Sequence, residues 1–104
     1  MRFSWDPSKN ARNLRERGLS FADAGPMWNG PMLVWIDNRR DYGEVREIGL
    51  GMIDERVVVV GWVTRGDNEI HIFSFRKANA REKNRYQAAL AAKRGSAQTD
   101  ESPE

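Results

Sequence analysis

A chain of 104 residues, with 17 Lys and Arg against 15 Asp and Glu and a net charge of +2, is the length of one self-sufficient domain, able to bury roughly 65% of the surface its unfolded form exposes. It has no cysteine and a single histidine, His71, which excludes a disulfide framework and a thiolate or histidine-cluster zinc site, so no metal or other cofactor is expected. Near the N-terminus Arg2, Trp5, Asp6 and Lys9 do not read as a secretory signal, and no apolar run approaches the ~20 residues of a membrane span, so the expectation is a cytoplasmic protein with no membrane partner.

In chain order, "RFSW" at 2–5 reads as a first strand. "WDPSKNARNLRERGL" predicts a helix with Asp6 as N-cap, Pro7 at the first helical position and Gly18 as the stop. "SFADAGPMW" predicts a second, short helix, with Ser20 and Asp23 spaced as a capping box and Gly25-Pro26 interrupting it. From Met32 the pattern turns to strand: "MLVWID", "EVREIGLGMI", "RVVVVGWVT" and "EIHIFSFRK". The last three are joined by connections at Asp54-Glu55 and at Arg65 to Asn68 that are short enough for hairpins. A helical period returns at Ala78, with Glu82, Tyr86 and Leu90 on the same face. The expected class is α+β: an antiparallel sheet of four to five strands with two N-terminal helices and one C-terminal helix. The domain spans 1–94, and the small, acidic stretch at 95–104 is expected to be a disordered tail.

Without that tail, 17 bases face 12 acids, and 13 of the bases are Arg. Planar guanidinium groups suit bidentate contact with phosphate or carboxylate, which points to an acidic partner, nucleic acid first, although a solvated surface has the same composition. Placing the turns at Asp54-Glu55 and at Arg65 to Asn68 sorts the strands by face. One face collects Ile48, Leu50, Met52, Val57, Val59, Val63, Ile70 and Ile72 as a carpet for the helices. The other brings Glu47, Trp62 and His71 level, with a shallow trough at Gly49 and Gly51 beside Trp62 and Phe73. Its aromatics either stack bases or pack beneath a helix or a partner. His71 is either a proton shuttle or a hydrogen-bonded strand residue. Glu44 falls opposite Arg65 with Arg46 beside it, an anion pocket or a cross-strand ion pair. Arg76 and Lys77 lie roughly 26 Å away along the last strand, a span that only a polymer or a protein could bridge.

Taken together, "FSWDPSKNARNLRERGLSFADA", "DYGEVREIGLG", "VGWVTRGDNEIHIFSFRKA" and "EKNRY" resemble the BrnT family of bacterial type II toxins. The residues that carry the likeness are Trp5, Asp6, Lys9 and Asn13; Gly43, Glu44 and Arg46; Thr64 and Arg65; and Ser74, Arg76, Lys77 and Ala78. The resemblance implies a RelE-like α+β fold and a metal-independent endoribonuclease that arrests growth by cutting RNA. It further implies a cognate BrnA-like antitoxin with a ribbon-helix-helix domain, forming a hetero-oligomer that represses its own operon and touches operator DNA only through the antitoxin. Two positions depart from the family pattern: Arg17 replaces the histidine of a K-H-G-I motif, and His71 stands where Arg is frequent.

RNA transesterification needs help in deprotonating the 2′-OH, cations for the charged phosphorane and a proton for the leaving oxygen. The candidates are Arg46, Arg65, His71, Arg76, Lys77 and Tyr86 for chemistry, and Lys9, Trp62, Arg81, Lys83 and Arg85 for holding RNA. Arg76 and Lys77 can equally be read as a salt-bridging cap where strand meets helix. The alternative functions are a non-catalytic antitoxin-binding co-repressor module and a stand-alone RNA-binding domain.

Overall fold

The computed structural model describes residues 1–101, with side chains to Lys93; the acidic tail expected at 95–104 lies outside the described side chains. The elements run β1 (Arg2–Trp5), α1 (Pro7–Arg17), two 3₁₀ turns (Phe21–Asp23 and Gly25–Asn29), β2 (Leu33–Ile36), β3 (Glu47–Ile53), β4 (Arg56–Arg65), β5 (Glu69–Lys77) and α2 (Ala80–Glu101). No helix among the described residues is long and apolar enough to cross a membrane.

Helix α1 begins and ends where its caps dictate. Asp6 Oδ1 accepts the Ser8 backbone N–H at 2.8 Å, Pro7 opens the first turn, and Gly18 closes it at φ 72°, donating its N–H to the Leu14 carbonyl. The helix buries none of its residues and is tied down through two asparagines instead. Asn13 Nδ2 donates to the carbonyls of Leu19 and Phe75, each at 2.9 Å, and Asn10 Oδ1 accepts the Phe21 N–H at 2.7 Å. The expected second helix forms as two short 3₁₀ turns. Ser20 caps the first, and Pro26, which has no N–H to donate, allows only a tight second turn.

The sheet order is β1-β5-β4-β3-β2. β2 to β5 are antiparallel neighbours, but β1 lies parallel to β5, so the sheet is mixed and not antiparallel throughout. A hairpin forces its strands to run antiparallel, whereas β1 reaches its neighbour only after the whole chain has passed, and no such constraint applies.

The first hairpin has the expected register, Glu47 opposite Trp62 and Ile53 opposite Arg56. The second does not. Its loop places Arg65 opposite Glu69, one residue beyond the expected turn, and a bulge follows: Trp62 faces Ile72 while Gly61 faces Ser74, leaving Phe73 without a partner. Side chains alternate with period two, so this slip inverts the faces expected for part of β5. Ile70 and Ile72 join Trp62, while His71 is opposite Val63 and leaves Trp62's face.

Both faces are consequently packed. On one, Phe21, Ala24 and Met27 of the 3₁₀ segment cover Val58, Val60, Trp62, Ile70, Ile72 and Phe75. Trp28 stands edge-on between Phe3 and Trp62, at 5.1 and 5.0 Å between ring centroids. The trough expected at Gly49 is filled: a Cβ there would come within 2.9 Å of the Trp62 ring, so the missing side chain is the space that Trp62 occupies. On the other face α2 packs Tyr86 and Leu90 over Leu50, Val57, Val59 and Trp35. Val63, His71 and Phe73 lie outside that α2 cluster, which leaves one end of the face for the site.

Candidate active site

The bulge fixes the site's centre. Phe73 lies over Gly61, where a Cβ would meet its ring carbons at 2.7 and 2.8 Å, so glycine provides the seat for the ring. Above it rises the loop between β2 and β3, anchored by Asp37. The Asp37 N–H donates to the Arg46 carbonyl at 2.8 Å. Its buried carboxylate accepts from Arg39 Nε and Nη2, each at 2.8 Å, and from the Tyr42 hydroxyl at 3.2 Å. These bonds, with Arg39 first, hold the carboxyl well below the usual range despite its burial.

Tyr42, placed in this way, forms one side of a stack. The Arg46 guanidinium lies 4.2 Å from the Tyr42 ring centroid and 4.6 Å from that of Phe73, within cation–π range of both, and Glu44 pairs with it at 3.3 Å. Arg40 adds a further cation at 5.4 Å from Tyr42. The expected opposition of Glu44 and Arg65 is absent because β3 begins at Glu47, and Glu44 turns to Arg46 instead. Beside the stack opens a groove of about 360 Å³, lined among others by Trp35, Asp37, Arg39, Phe73, Ser74 and Arg76. One member of each expected basic cluster thus borders Phe73, Arg46 on its ring and Arg76 in the adjoining groove, while Arg65 stays at the far end of the strands, opposite Glu69.

Arg76 is fastened to the start of α2. Its two terminal nitrogens donate to Glu82 at 2.8 Å each, and Nη1 also reaches the Lys77 carbonyl at 3.3 Å. Glu82 in turn completes a capping box with Asn79, each accepting the other's backbone N–H, at 2.8 and 2.9 Å. The bidentate bond lowers the Glu82 carboxyl and raises the Arg76 guanidinium. Lys77, next in the chain, lines a different cleft with Lys83 and Arg56.

Farther along the same face, His71 is half-buried with Nδ1 2.9 Å from Ser4 Oγ, which lies 2.6 Å from Glu69 Oε2. Burial first, then Arg65, pushes the imidazole below its ordinary value, with Lys9 adding to the effect and Glu69 and Glu44 opposing it. Arg65 is exposed at the rim and has no ion pair among the described residues.

The structure therefore gathers Arg46, Arg65, His71 and Arg76 on one face and sets others apart. Tyr86 is 2% exposed and donates its hydroxyl to the Pro31 carbonyl at 2.9 Å, and burial raises its phenol. Trp62, 4% exposed, has no open ring for a base. Lys9, Arg81 and Lys83 are exposed, and Arg85 is stacked on Trp35 at 4.4 Å, pinning α2 to the sheet. Sequence reasoning passed over Tyr42, Ser4 and Glu69. Ser4 and Glu69 come to His71 only through the parallel pairing of β1, which no local signal announces, whereas the Asn79 to Glu82 spacing of a capping box was there to be read.

No curated protein sequence matches the chain. Among solved structures, the ribonuclease toxin BrnT of Brucella abortus superposes with a TM-score of 0.60 at 21% identity, over 76% of this chain and 97% of that one, a likeness of fold. The family model described as "Ribonuclease toxin, BrnT, of type II toxin-antitoxin system" matches residues 5–82. With most of the domain covered by that match, from Trp5 at the end of β1 to Glu82 at the start of α2, the chain belongs to the BrnT family of ribonuclease toxins from type II toxin–antitoxin systems.

Proposed function

We propose that this chain arrests growth as a metal-independent endoribonuclease that draws RNA across the open end of its α2-side face. The observation that carries the reading is the Arg46 guanidinium held between Tyr42 and Phe73, with His71 and Arg65 on the same face. The 2′-oxygen attacks the adjacent phosphorus while its proton passes to the His71 imidazole. Arg46 and Arg65 meet the charge gathering on the phosphorane, and Arg76, rigidly held by Glu82, borders the groove that receives the neighbouring nucleotide. The bond from phosphorus to the 5′-oxygen breaks and that oxygen takes a proton from solvent, leaving a 2′,3′-cyclic phosphate and a 5′-hydroxyl. The nucleophile belongs to the RNA, so the scheme calls for no metal-bound water. Lys9, Arg81 and Lys83 offer exposed cations to the phosphate backbone.

In the same reading a BrnA-like antitoxin with a ribbon-helix-helix domain covers this basic surface in the cytoplasm, and the hetero-oligomer represses its own operon, with operator DNA contacted through the antitoxin. Binding of that kind weakens as salt rises. The test is to map new RNA 5′ ends after pulse induction of the chain alone, beside Arg65→Ala, whose exposed side chain makes no ion pair among the described residues. New ends that vanish in the variant support the enzyme. A second reading, a non-catalytic antitoxin-binding module, is favoured by the engagement of Arg76 with Glu82 and of Tyr86 with Pro31. Folded protein that produces no new ends would decide for it.

A further inference from the structure

The parallel register of β1 against β5 sets Ser4 directly beside His71. Ser4 Oγ stands 2.6 Å from Glu69 Oε2 and 2.9 Å from His71 Nδ1. A hydroxyl has one proton and cannot donate to both neighbours. An ionised carboxylate only accepts, and 2.6 Å is the length of a charge-assisted O–H···O⁻ bond, so the proton points to Glu69. Ser4 Oγ then has only lone pairs to offer His71, and Nδ1 must carry hydrogen. In the neutral ring Nε2 is therefore left bare.

We infer that Glu69 and Ser4 are positioning residues that lock His71 in the Nδ1–H tautomer, so that Nε2 is the atom that takes the 2′-OH proton. The assignment rests on the ribonuclease reading above for its purpose, though not for its geometry. Arg2 supports the arrangement, pairing with Glu69 at 3.2 Å. The charges that act on the ring come from four elements: Arg65 from β4, Glu69 from β5, Lys9 from α1 and Glu44 from the loop before β3. Their sum, with burial, lowers the ring's pKa, which keeps the imidazole neutral near pH 7, the form a base requires. Glu69 is itself drawn below its ordinary value, first by the Ser4 hydroxyl, which keeps it an acceptor.

His71 is the chain's only histidine, so its ring nitrogens give unambiguous signals in ¹⁵N-labelled protein. Above the ring's pKa, the wild type is expected to show Nδ1 protonated and Nε2 bare. Ser4→Ala loses that preference, Ser4→Thr keeps it, and Glu69→Gln weakens it, because an amide donates to Ser4 and frees the hydroxyl to turn towards Nδ1. In RNA cleavage, Ser4→Ala should lower kcat by about tenfold or more, with KM little changed and Ser4→Thr restoring the rate. The acid limb of the pH profile should follow the pKa read from the ring. A wild type with Nε2 protonated, or a tautomer indifferent to both Ser4→Ala and Glu69→Gln, overturns the inference even if RNA is cut. An Nδ1–H ring in a protein that cuts no RNA overturns the ribonuclease reading and, with it, the base role of Nε2.

Discussion

The Arg46 guanidinium lies 4.6 Å from the Phe73 ring centroid and 4.2 Å from that of Tyr42, so two aromatic rings hold the cation in place before any ligand arrives. A cation that does not have to reorganise is the kind that stabilises a developing phosphorane most. Arg46→Ala is expected to reduce RNA cleavage by about 10²- to 10³-fold. Arg46→Lys should fall between, because an ammonium keeps the charge but neither stacks as a plane nor offers two parallel N–H donors. Cleavage of a defined RNA, normalised to folded protein by circular dichroism, checks this. An Arg46→Ala rate equal to wild type would remove Arg46 from the chemistry.

Much of the architecture was legible because it follows from local rules: the caps of α1, the two-residue turn at Asp54-Glu55, and the three antiparallel strands β3 to β5. The site was less so, for reasons of register. A loop one residue longer than expected moved His71 off the face of Trp62, and the unpaired Phe73 then returned Ser74 to Lys77 to the faces expected of them. The apolar run "IHIFSF" gives no hint of a bulge, since Ile and Phe fit either face. Gly61 was the available sign, because a glycine inside a valine-rich strand marks a close approach, here that of Phe73. Conversely, Gly49 suggested an open trough when it was making room for Trp62 in the core.

That contact at Gly61 sets the second prediction. Gly61→Ala drives a methyl group to within 2.7 Å of Phe73 and 3.3 Å of Ile48 Cδ1, in a buried strand with little room to yield. The expected cost is about 1–3 kcal/mol in urea unfolding, with loss of cleavage as the Phe73 shelf under Arg46 shifts. Combining it with Phe73→Ala should cost less than the two single changes summed, because the second removes the clash made by the first. Strict additivity would count against Phe73 being seated on Gly61.

The β3–β4 turn should yield to improvement. Asp54 and Glu55 both have positive φ, 51° and 66°, the pair of left-handed residues that a type I′ hairpin demands. A side chain in that region costs roughly 1–2 kcal/mol relative to glycine. Glu55→Gly is therefore expected to raise stability by about 1 kcal/mol, less some loss from the freer unfolded chain, without altering cleavage. Thermal melts of the two proteins decide it, and a lower melting temperature in the variant would contradict the turn geometry.

The last prediction concerns pH and the Arg76–Glu82 pair. The bidentate bond from Arg76 lowers the Glu82 carboxyl from its ordinary 4.5, and Glu82 is mostly sheltered, its side chain 18% exposed. The folded state thus holds its proton less tightly than the unfolded state, so the pair adds stability that is fully present above pH 4.5 and is lost as pH falls through the depressed folded value. Glu82→Gln is the informative comparison, because glutamine can keep the capping box with Asn79 while giving up the charge. The gap in unfolding free energy between wild type and Glu82→Gln, about 1–2 kcal/mol for a charge-assisted bidentate bond, should be constant near neutrality and close in acid. A gap that persists unchanged at low pH would mean that Glu82 acts through packing or capping alone, and that Arg76 is freer to turn towards a ligand than its bonds to Glu82 imply.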